Sequence, residues 1–317
     1  MKLKRTMTSL GVVISLILML GVSPTDAEAK EKYEEKFEKT LSIVRDGKVI
    51  VGNVSGDIKV ETWNKAQVQI DALKISRAAT TARAKENVEQ VNITISEENS
   101  TVRIKTEYPK GPNKGLNVSV DYMLKIPVEA AINANTISGD VTCSGIGGAL
   151  KASSKSGDII VAGAKDGAVC STISGDVEVE NIDGDVDLHT VSGDVLADSV
   201  KGSVEADTVS GSVVLTNITM ADQVEASTTS GSVKYEGAIS SDGYYSLKAH
   251  SGRVEFIVPA DAAFDVEAKT FSGSINSEFE MTVIGKIDKK SISGSINGGG
   301  AEVELKTFSG SVYIKKR

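Results

Sequence analysis

The stretch Thr172-Ile173-Ser174-Gly175-Asp176-Val177 decides the fold, because its pattern recurs along most of the chain. The fuller copies read Thr, an apolar residue, Ser, Gly, Asp or Ser, and then Val or Ile. The Ser-Gly pair first recurs every 18 residues and then at intervals of 20, 21, 21, 21 and 16 residues. A repeat of this length indicates a stack of similar structural units. The ten serines are Ser138, Ser156, Ser174, Ser192, Ser210, Ser230, Ser251, Ser272, Ser293 and Ser309, and an earlier outlier is Ser55.

Each repeat has the pattern of two short strands. The residue two positions after each Gly is β-branched and apolar in all ten copies, and such residues pack well in half-buried strands. A second glycine series divides the unit into halves of about nine residues, in which apolar and polar residues alternate, as in Val177-Glu178-Val179-Glu180. This alternation predicts strands with one buried face. The second series is Gly148, Gly167, Gly184 and Gly202.

Two architectures can stack strands of this length. An antiparallel sandwich or barrel fits the strand spacing, but it places like halves two strands apart and gives no reason for Val to recur at one offset. In a solenoid each coil lies on the one before, so Val177, Val195 and Val213 become neighbours, and Gly occupies corners that need positive φ or a tight bend. We therefore predict an all-β fold, a parallel β-solenoid or β-helix of about ten coils of 18–21 residues.

The chain divides into three predicted segments. A basic start, the 13-residue apolar run from Leu10 to Val22 and the exit Ala27-Glu28-Ala29 predict a signal peptide over residues 1–29, with an uncleaved anchor as the alternative. Residues 30–130 are predicted to form a β-rich N-terminal module with one short helix over residues 82–91, and residues 131–317 to form the solenoid. We expect an exported protein, extracellular or in the cell envelope, with no transmembrane segment after signal cleavage.

Composition excludes several classes of function. The 317 residues include 35 basic and 43 acidic ones, and the net charge of −8 opposes a nucleic-acid partner. Only His189 and His250 are available for histidine chemistry; His189 falls among the outward-pointing polar positions of its strand, and His250 takes the usually apolar place before Ser251. The Gly-x-Ser-x-Gly motif of hydrolases is absent. We therefore predict no catalytic residue. Since aromatic residues make up 4% of the chain, the core is expected to consist of Val, Ile, Leu and Ala.

The two cysteines are predicted to be free. Cys143 has the inward parity of its strand, whereas Cys170 has the outward parity by the same count. Side chains on opposite sides of a strand rarely meet disulfide geometry. Cys143 is then a small core residue.

Aspartates follow the corner glycine in successive repeats. Stacked carboxylates about 5 Å apart repel one another unless they are solvated or bridged by a cation. Because Ca²⁺ prefers oxygen ligands, Asp158, Asp176 and Asp194 form a candidate calcium ladder, with a solvated acidic turn as the alternative. The extra glycines of calcium-binding nonapeptide repeats are absent, and later repeats place Ser at this position. We predict no cofactor and leave calcium open.

Four segments in order resemble the bacterial β-strand-repeat family known as "putative adhesin". They are Gly52-Asn53-Val54-Ser55-Gly56-Asp57-Ile58, Trp63, Tyr122-Met123-Leu124-Lys125-Ile126-Pro127 and the serial Ser-Gly-Asp-Val units. The resemblance covers roughly residues 35–317. It implies a β-solenoid fold and an envelope location, and it brings no catalytic residues.

Three functions remain open at this point. The first is an exported, non-enzymatic envelope repeat protein, an adhesin-like binding or scaffold module for a cell-envelope polymer or a surface protein. The second is a carbohydrate-active β-solenoid enzyme, with or without calcium, which would show a groove where Asp or Glu converge with Lys or Arg. The third is self-assembly through terminal coils, which Lys315, Lys316 and Arg317 oppose as charges that protect an edge strand.

Overall fold

The structure, a computed structural model, describes residues 30–109, 111, 116–283 and 288–317. The predicted signal peptide over residues 1–29 lies outside the described residues. Strands dominate the described part of the chain, and the predicted all-β class is confirmed. No helix among the described residues is long and apolar enough to cross a membrane.

The described residues of the N-terminal part form seven strands and a helix, α1 (Thr81–Glu89). The helix begins at Thr80, whose hydroxyl oxygen accepts the backbone N–H of Arg83 at 3.2 Å, as an N-cap residue does. The predicted helix is therefore confirmed within two residues at either end. The strands are β1 (Glu31–Ser42), β2 (Lys48–Gly52), β3 (Ile58–Trp63), β4 (Gln67–Ala78), β5 (Asn92–Glu98), β6 (Thr101–Glu107) and β7 (Val118–Pro127).

Seven consecutive coils follow. Each coil gives one strand to one sheet, turns at a Ser-Gly corner and gives its next strand to the opposite sheet. The strands are β8 (Ala131–Asn135), β9 (Val141–Ile146), β10 (Leu150–Ser153), β11 (Ile159–Ala164), β12 (Ala168–Ser171), β13 (Val177–Asp183), β14 (Val186–His189), β15 (Val195–Lys201), β16 (Val204–Ser210), β17 (Val213–Ile218), β18 (Gln223–Ser230), β19 (Val233–Gly237), β20 (Tyr244–Ser251) and β21 (Val254–Val258).

The remaining strands form two more coils and a covering pair. Strands β22 and β23 form one coil, β24 and β25 run across its outer side, and β26 and β27 form the other. They are β22 (Phe264–Ser272), β23 (Ile275–Ser277), β24 (Thr282–Val283), β25 (Ser291–Ile296), β26 (Ala301–Ser309) and β27 (Val312–Lys316).

All these strands belong to two sheets that enclose one hydrophobic core. Over the described residues, sheet A has the strand order β1-β4-β7-β3-β9-β11-β13-β15-β17-β19-β21-β27-β23, and sheet B has the order β24-β25-β22-β26-β20-β18-β16-β14-β12-β10-β8-β2-β6-β5. Strand β13 pairs in parallel with β15, and β15 with β17, so Val177 lies beside Val195 and Val195 beside Val213. The predicted parallel β-solenoid is confirmed.

The predicted boundary at residue 130 stays a prediction, but both sheets cross it. Strand β2 pairs in parallel with β8, and β3 with β9, so β2 and β3 already form a coil. Ser55 stands at the corner of that coil, where it bridges to Ser138. The early outlier of the repeat is therefore a regular corner.

The core changes along the rod, and two names mark the change: the middle coils are β8–β17 (residues 131–218) and the C-terminal coils are β18–β27 (residues 223–316). In the middle coils the inward side chains are aliphatic or small, as predicted; Val177 and Val179 are fully buried. Burial of one such side chain contributes about 1.5–3 kcal/mol. The C-terminal coils differ, because four fully buried rings fill their core: Tyr235, Tyr245, Phe256 and Phe264.

The last coil in sequence is not the last coil in space. Strand β26 pairs with both β20 and β22, and β27 with both β21 and β23. The expectation that every coil lies on the one before it is therefore wrong at this end. Strand β25 returns antiparallel along β22 and covers its outer edge, so the chain end fills the place between the two preceding coils.

Two sequence predictions fail for this reason. Ser293 lies within β25 and turns no corner, although its sequence matches the repeat. Lys315 and Lys316 do not protect an edge, because β27 lies between two other strands of sheet A. Lys315 instead pairs with Glu255 of the neighbouring β21, with 3.3 Å between Nζ and Oε1.

Both thiols are free and buried. The prediction that Cys170 points outward is wrong, since it lies on the inner face of sheet B, whereas Cys143 lies on the inner face of sheet A. Burial raises the pKa of Cys143 to about 12 and raises the pKa of Cys170 as well. Both thiols therefore stay protonated and act as small apolar residues at neutral pH.

Candidate functional site

The Ser-Gly corner stacks backbone directly on backbone. Gly193 has φ of +150°, and a Cβ on it would lie 2.0 Å from the carbonyl oxygen of Gly175 in the preceding coil. The same approach recurs at Gly310, whose Cβ would lie 1.9 Å from the oxygen of Gly252. Only glycine fits such a position, which explains why the Ser-Gly pair marks the repeat.

The other polar residues of the corner satisfy backbone groups of adjacent coils. The hydroxyl of Thr190 donates to the carbonyl oxygen of Gly175 at 2.9 Å. One carboxylate oxygen of Asp176 accepts the backbone N–H of Asp194 at 2.8 Å. Unpaired backbone groups are costly away from water, so these side chains stabilise the stack.

The structure aligns the predicted calcium ladder and gives it another role. Asp158, Asp176 and Asp194 occupy equivalent, exposed corner positions in successive coils. In each, Oδ1 accepts the backbone N–H of the equivalent residue one coil further on, at 2.7–2.8 Å. These hydrogen bonds stabilise the carboxylates without an ion, and calcium binding stays a prediction.

From β8 onwards, the residue before Ser at each corner points into solvent, and these residues together form an exposed line that we call the corner ridge. It is largely apolar; Ile173 is 50% exposed and Phe271 is 65% exposed. An extended exposed apolar surface of this kind is typical of an interaction site. In spatial order the ridge consists of Ile137, Lys155, Ile173, Val191, Val209, Thr229, His250, Phe308 and Phe271.

The ridge ends in a stack of three exposed rings. The ring centroids of His250 and Phe308 are 4.9 Å apart with a 3° interplanar angle, and those of Phe308 and Phe271 are 4.7 Å apart with a 4° angle. Nζ of Lys290 lies 5.7 Å from the centroid of Phe271. Because the faces stack on each other, the rings present their edges sideways to a ligand, and these edges carry partial positive charge.

A row of lysines borders the ring stack on the outer face of sheet B. Register places Lys306 beside both Lys248 and Lys269. These three lysines, Lys290 and the three rings line one shallow groove of about 760 Å³, which no described carboxylate lines. Its volume falls within the range of ligand-binding sites. We call it the ring–lysine groove.

Glu304, which lies beyond the groove, forms ion pairs with two of its lysines. Nζ of Lys248 lies 2.7 Å from Oε2 of Glu304, and Lys306 contacts the same carboxylate. Although partial burial opposes ionisation of Glu304, hydrogen bonds from the two lysines lower its pKa to about 2. The hydrogen bond to Glu304 in turn raises the pKa of Lys248. Both partners are therefore fully charged at neutral pH.

Comparison with known proteins identifies the family to which this stack of coils belongs. The Toastrack DUF4097 family matches residues 47–315, which include nearly every coil. The chain is a member of the Toastrack DUF4097 family. The sequence resemblance to an adhesin-labelled β-strand-repeat family is supported in its fold, while export stays a prediction. The chain matches no curated protein.

Several solved structures resemble this Toastrack chain at low identity. A putative adhesin from Bacteroides fragilis is 13% identical, with a TM-score of 0.40 over 89% of this chain and 97% of that one. A putative lipid binding protein from Parabacteroides distasonis is 12% identical, with a TM-score of 0.36 over 89% and 96%. A putative cell adhesion protein from Clostridium sporogenes is 10% identical, with a TM-score of 0.26 over 90% and 100%.

Sequence reasoning placed the two histidines correctly but missed the groove of this Toastrack chain. His189 lies on the outer face of sheet B, as predicted, and His250 takes the apolar ridge position. The sequence order puts Phe271 next to His250 and leaves Phe308 two repeats away. Only the inserted last coil brings Phe308 between them. The available signal was the ring at the same repeat offset in Phe271 and Phe308.

Proposed function

We propose that this chain is an exported, non-enzymatic binding module that holds a linear anionic polysaccharide of the cell surface in the ring–lysine groove. The observation that carries the proposal is the exposed ring stack of His250, Phe308 and Phe271 beside three register-paired lysines. Export rests on the signal peptide predicted over residues 1–29. Of the two partners left open by the sequence, a polymer or a surface protein, the chemistry of the groove favours the polymer.

The groove favours oxygen-rich anions. Four lysines line it, while Glu304 and Glu267, the carboxylates that pair with three of them, lie beyond it, so positive charge faces the groove in a chain whose net charge is −8. The exposed ring edges add partial positive charge next to the lysine row. Carboxylate or phosphate groups on a sugar chain would meet lysine ammonium groups, while ring carbons of the sugars would pack on the apolar ridge.

The geometry favours a linear ligand. Coils repeat at about 4.8 Å, the strand spacing within a sheet, so equivalent binding positions recur along the rod. From the rings the corner ridge continues through Val209 and Val191 towards Ile173. A polymer can therefore extend from the groove along the ridge, and several weak contacts then add up.

The enzyme alternative has one observation in its favour, since Glu304 does converge with Lys248 and Lys306 beside the groove. However, a pKa of about 2 keeps Glu304 ionised, and a general acid in glycoside hydrolysis needs a raised pKa. The convergence is better explained as the ion pairing that holds the lysine row in place. Release of reducing ends from a bound polysaccharide would favour the enzyme instead.

Binding to defined polymers tests the proposal. The chain lacking residues 1–29 is titrated with polygalacturonate, with a glycerol-phosphate polymer and with neutral dextran, at 50 and 300 mM salt. We expect binding to at least one anionic polymer, no binding to dextran, and weakening at the higher salt. Phe308→Ala and Lys269→Gln are each expected to weaken binding at least about threefold, a cost of about 0.7 kcal/mol.

Lys201→Gln is the matched control, because Lys201 is an exposed lysine on sheet A that pairs with Asp183. It removes the same charge from the chain without touching the groove. Equal affinity of Lys269→Gln and Lys201→Gln would reduce the effect to net charge and refute the groove. Binding to proteins of a cell surface but to neither anionic polymer would refute the polysaccharide.

A further inference from the structure

A second group of chemically active side chains lies on the outer face of sheet B, in the middle coils and away from the ring–lysine groove. Strand β14 carries Asp187 and His189 at alternate outward positions, and β16 carries Glu205 and Asp207 directly beside them. The four side chains therefore occupy the corners of a rectangle on two adjacent coils.

The ligand atoms of three of these residues converge. One nitrogen of His189 and one carboxylate oxygen each of Glu205 and Asp207 all lie within 4.8 Å of one another. Nδ1 of His189 is 3.5 Å from Oδ2 of Asp207. Rotation of these exposed side chains can close the set around an ion at the 2.0–2.2 Å typical of Zn²⁺ bound to nitrogen and carboxylate oxygen.

The fourth residue orients the imidazole. Oδ1 of Asp187 is shielded from water, has no hydrogen-bond partner and lies against Nε2 of His189. An N–H on Nε2 would satisfy this oxygen and would leave the lone pair of Nδ1 for an ion. In metal sites the ligating histidine commonly donates its other N–H to a carboxylate in the same way.

Among the described residues, no basic side chain pairs with the carboxylates of this cluster. In the described part of the chain no Lys or Arg forms a salt bridge with Asp187, Glu205 or Asp207. In the C-terminal coils, by contrast, Glu304 and Glu267 each contact lysines. The acidic middle face thus lacks the counter-charge that the same face has further along the rod.

We propose that His189, Glu205 and Asp207 bind one divalent transition-metal ion such as Zn²⁺, through Nδ1 and two carboxylate oxygens, with Asp187 as the positioning residue. One imidazole with carboxylates suits Zn²⁺ and its first-row neighbours, whereas Ca²⁺ prefers oxygen ligands alone. The site lies on one face of two coils, so waters would complete the coordination. It is independent of the proposed polysaccharide groove.

Zinc titration against a chromophoric indicator tests the proposal, with the chain lacking residues 1–29 prepared free of metal. We expect one Zn²⁺ per chain and no competition from a hundredfold excess of Ca²⁺. Loss of an outer partner alone typically costs 10–100-fold in metal affinity. His189→Ala is therefore expected to weaken Zn²⁺ binding at least about tenfold, and Asp187→Asn to weaken it less.

The chain provides its own control, because it contains only two histidines. His250→Ala removes the other imidazole and should leave Zn²⁺ affinity unchanged. In a sample labelled with ¹⁵N at histidine, Zn²⁺ should shift the ring signals of His189 and not those of His250. Metal-free thermal unfolding of each variant separates loss of a ligand from loss of the fold.

Three results would overturn the site: no Zn²⁺ binding by the wild-type chain, equal affinity of His189→Ala and wild type, or equal competition by Ca²⁺. In the first case His189 only contacts the two aspartates. In the second, Zn²⁺ is bound elsewhere. In the third, the acidic face attracts any divalent cation.

Discussion

The middle coils and the C-terminal coils share one corner but differ in the side chain that follows its glycine. In the middle coils Asp176 accepts the next coil's N–H at 2.8 Å, whereas in the C-terminal coils the hydroxyl of Ser232 accepts the N–H of Arg253 at 3.2 Å. The stack therefore needs an acceptor at this position and not a charge. Glycine at the corners and Thr at most of them occur in both regions, so they constitute the shared scaffold.

The outer face of sheet B differs more. Strands β14 and β16 expose acidic residues around His189, whereas β20, β26 and β22 expose Lys248, Lys306 and Lys269 at comparable positions. One scaffold thus carries, on the same side of the rod, an acidic region and a region where lysines pair with glutamates. Function in such a repeat protein is set by outward positions that the inner packing leaves free.

Replacing a corner glycine is expected to have the largest effect. In Gly193→Ala the new Cβ would lie 2.0 Å from a backbone oxygen at φ of +150°. Strain and overpacking together predict a loss of about 3–5 kcal/mol in the free energy of unfolding. Gly310→Ala in the C-terminal coils should lose a similar amount, since its Cβ would approach backbone to 1.9 Å. Denaturant unfolding measures both.

Gly163→Ala is the control for the corner. Gly163 also has positive φ, at +78°, but its nearest neighbouring atom would be 3.8 Å from the Cβ. It should lose only about 1 kcal/mol through backbone strain. Equal stability of Gly193→Ala and Gly163→Ala would contradict the close stacking of the coils at the corner.

The next largest effect is expected from acid, which should change the stability of the two regions differently. The pKa of Glu304 is lowered from 4.5 to about 2 by its lysines, so its ion pairs stabilise the folded state fully above pH 4.5 and are lost as the pH falls towards 2. After allowance for solvent screening, we expect a loss on the order of 2 kcal/mol. Amide hydrogen exchange should show that β20 and β26 lose protection over this pH range in wild type.

Glu304→Gln is the matched variant, since it keeps the shape and removes the titration. Its C-terminal coils should start less stable at neutral pH and should lose less between pH 4.5 and 2. An identical acid response in wild type and Glu304→Gln would mean that another carboxylate controls the C-terminal coils.

A smaller effect is expected for the corner threonine. Thr190→Val keeps the β-branched shape and removes the hydroxyl that donates to Gly175. A lost hydrogen bond of this kind costs about 1 kcal/mol. Thr307→Val should lose the same amount, because Thr307 donates to the oxygen of Gly252 at 2.9 Å in the C-terminal coils. Thermal unfolding of the two variants therefore tests whether the corner is equivalent in both regions.

Much of this fold could be predicted because the same short sequence motif recurs in nearly every coil. Steric exclusion at Gly193 and burial at Val195 act locally, so corner, strand and inward face follow from the offsets. The order of the last coils could not be predicted, since Ser293 and Ser309 carry the same short pattern. What separates them is β25 pairing antiparallel with β22, a contact between distant segments that no repeat offset encodes.

The candidate sites were predictable to a smaller extent for the same reason. The aspartate offset correctly aligned Asp158, Asp176 and Asp194, but the backbone N–H each accepts belongs to another coil and is invisible in sequence. Parity placed His189 outward, while the neighbours that surround it, Glu205 and Asp207, come from the next coil. The ring stack could not be predicted, because only the inserted last coil brings Phe308 between His250 and Phe271.

The smallest expected effect comes from exchanging one type of corner for the other. Asp176→Ser gives a middle coil the acceptor found in the C-terminal coils, whereas Asp176→Ala leaves the N–H of Asp194 without that acceptor. We expect Asp176→Ala to lose about 1 kcal/mol and Asp176→Ser no more than about 0.5 kcal/mol. Removal of one stacked carboxylate also relieves repulsion, so the loss of stability relative to wild type should be smaller at low salt in both variants. Equal losses in the two variants would mean that the carboxylate charge and not the acceptor matters, and a chelator-sensitive wild type would then point back to a calcium ladder.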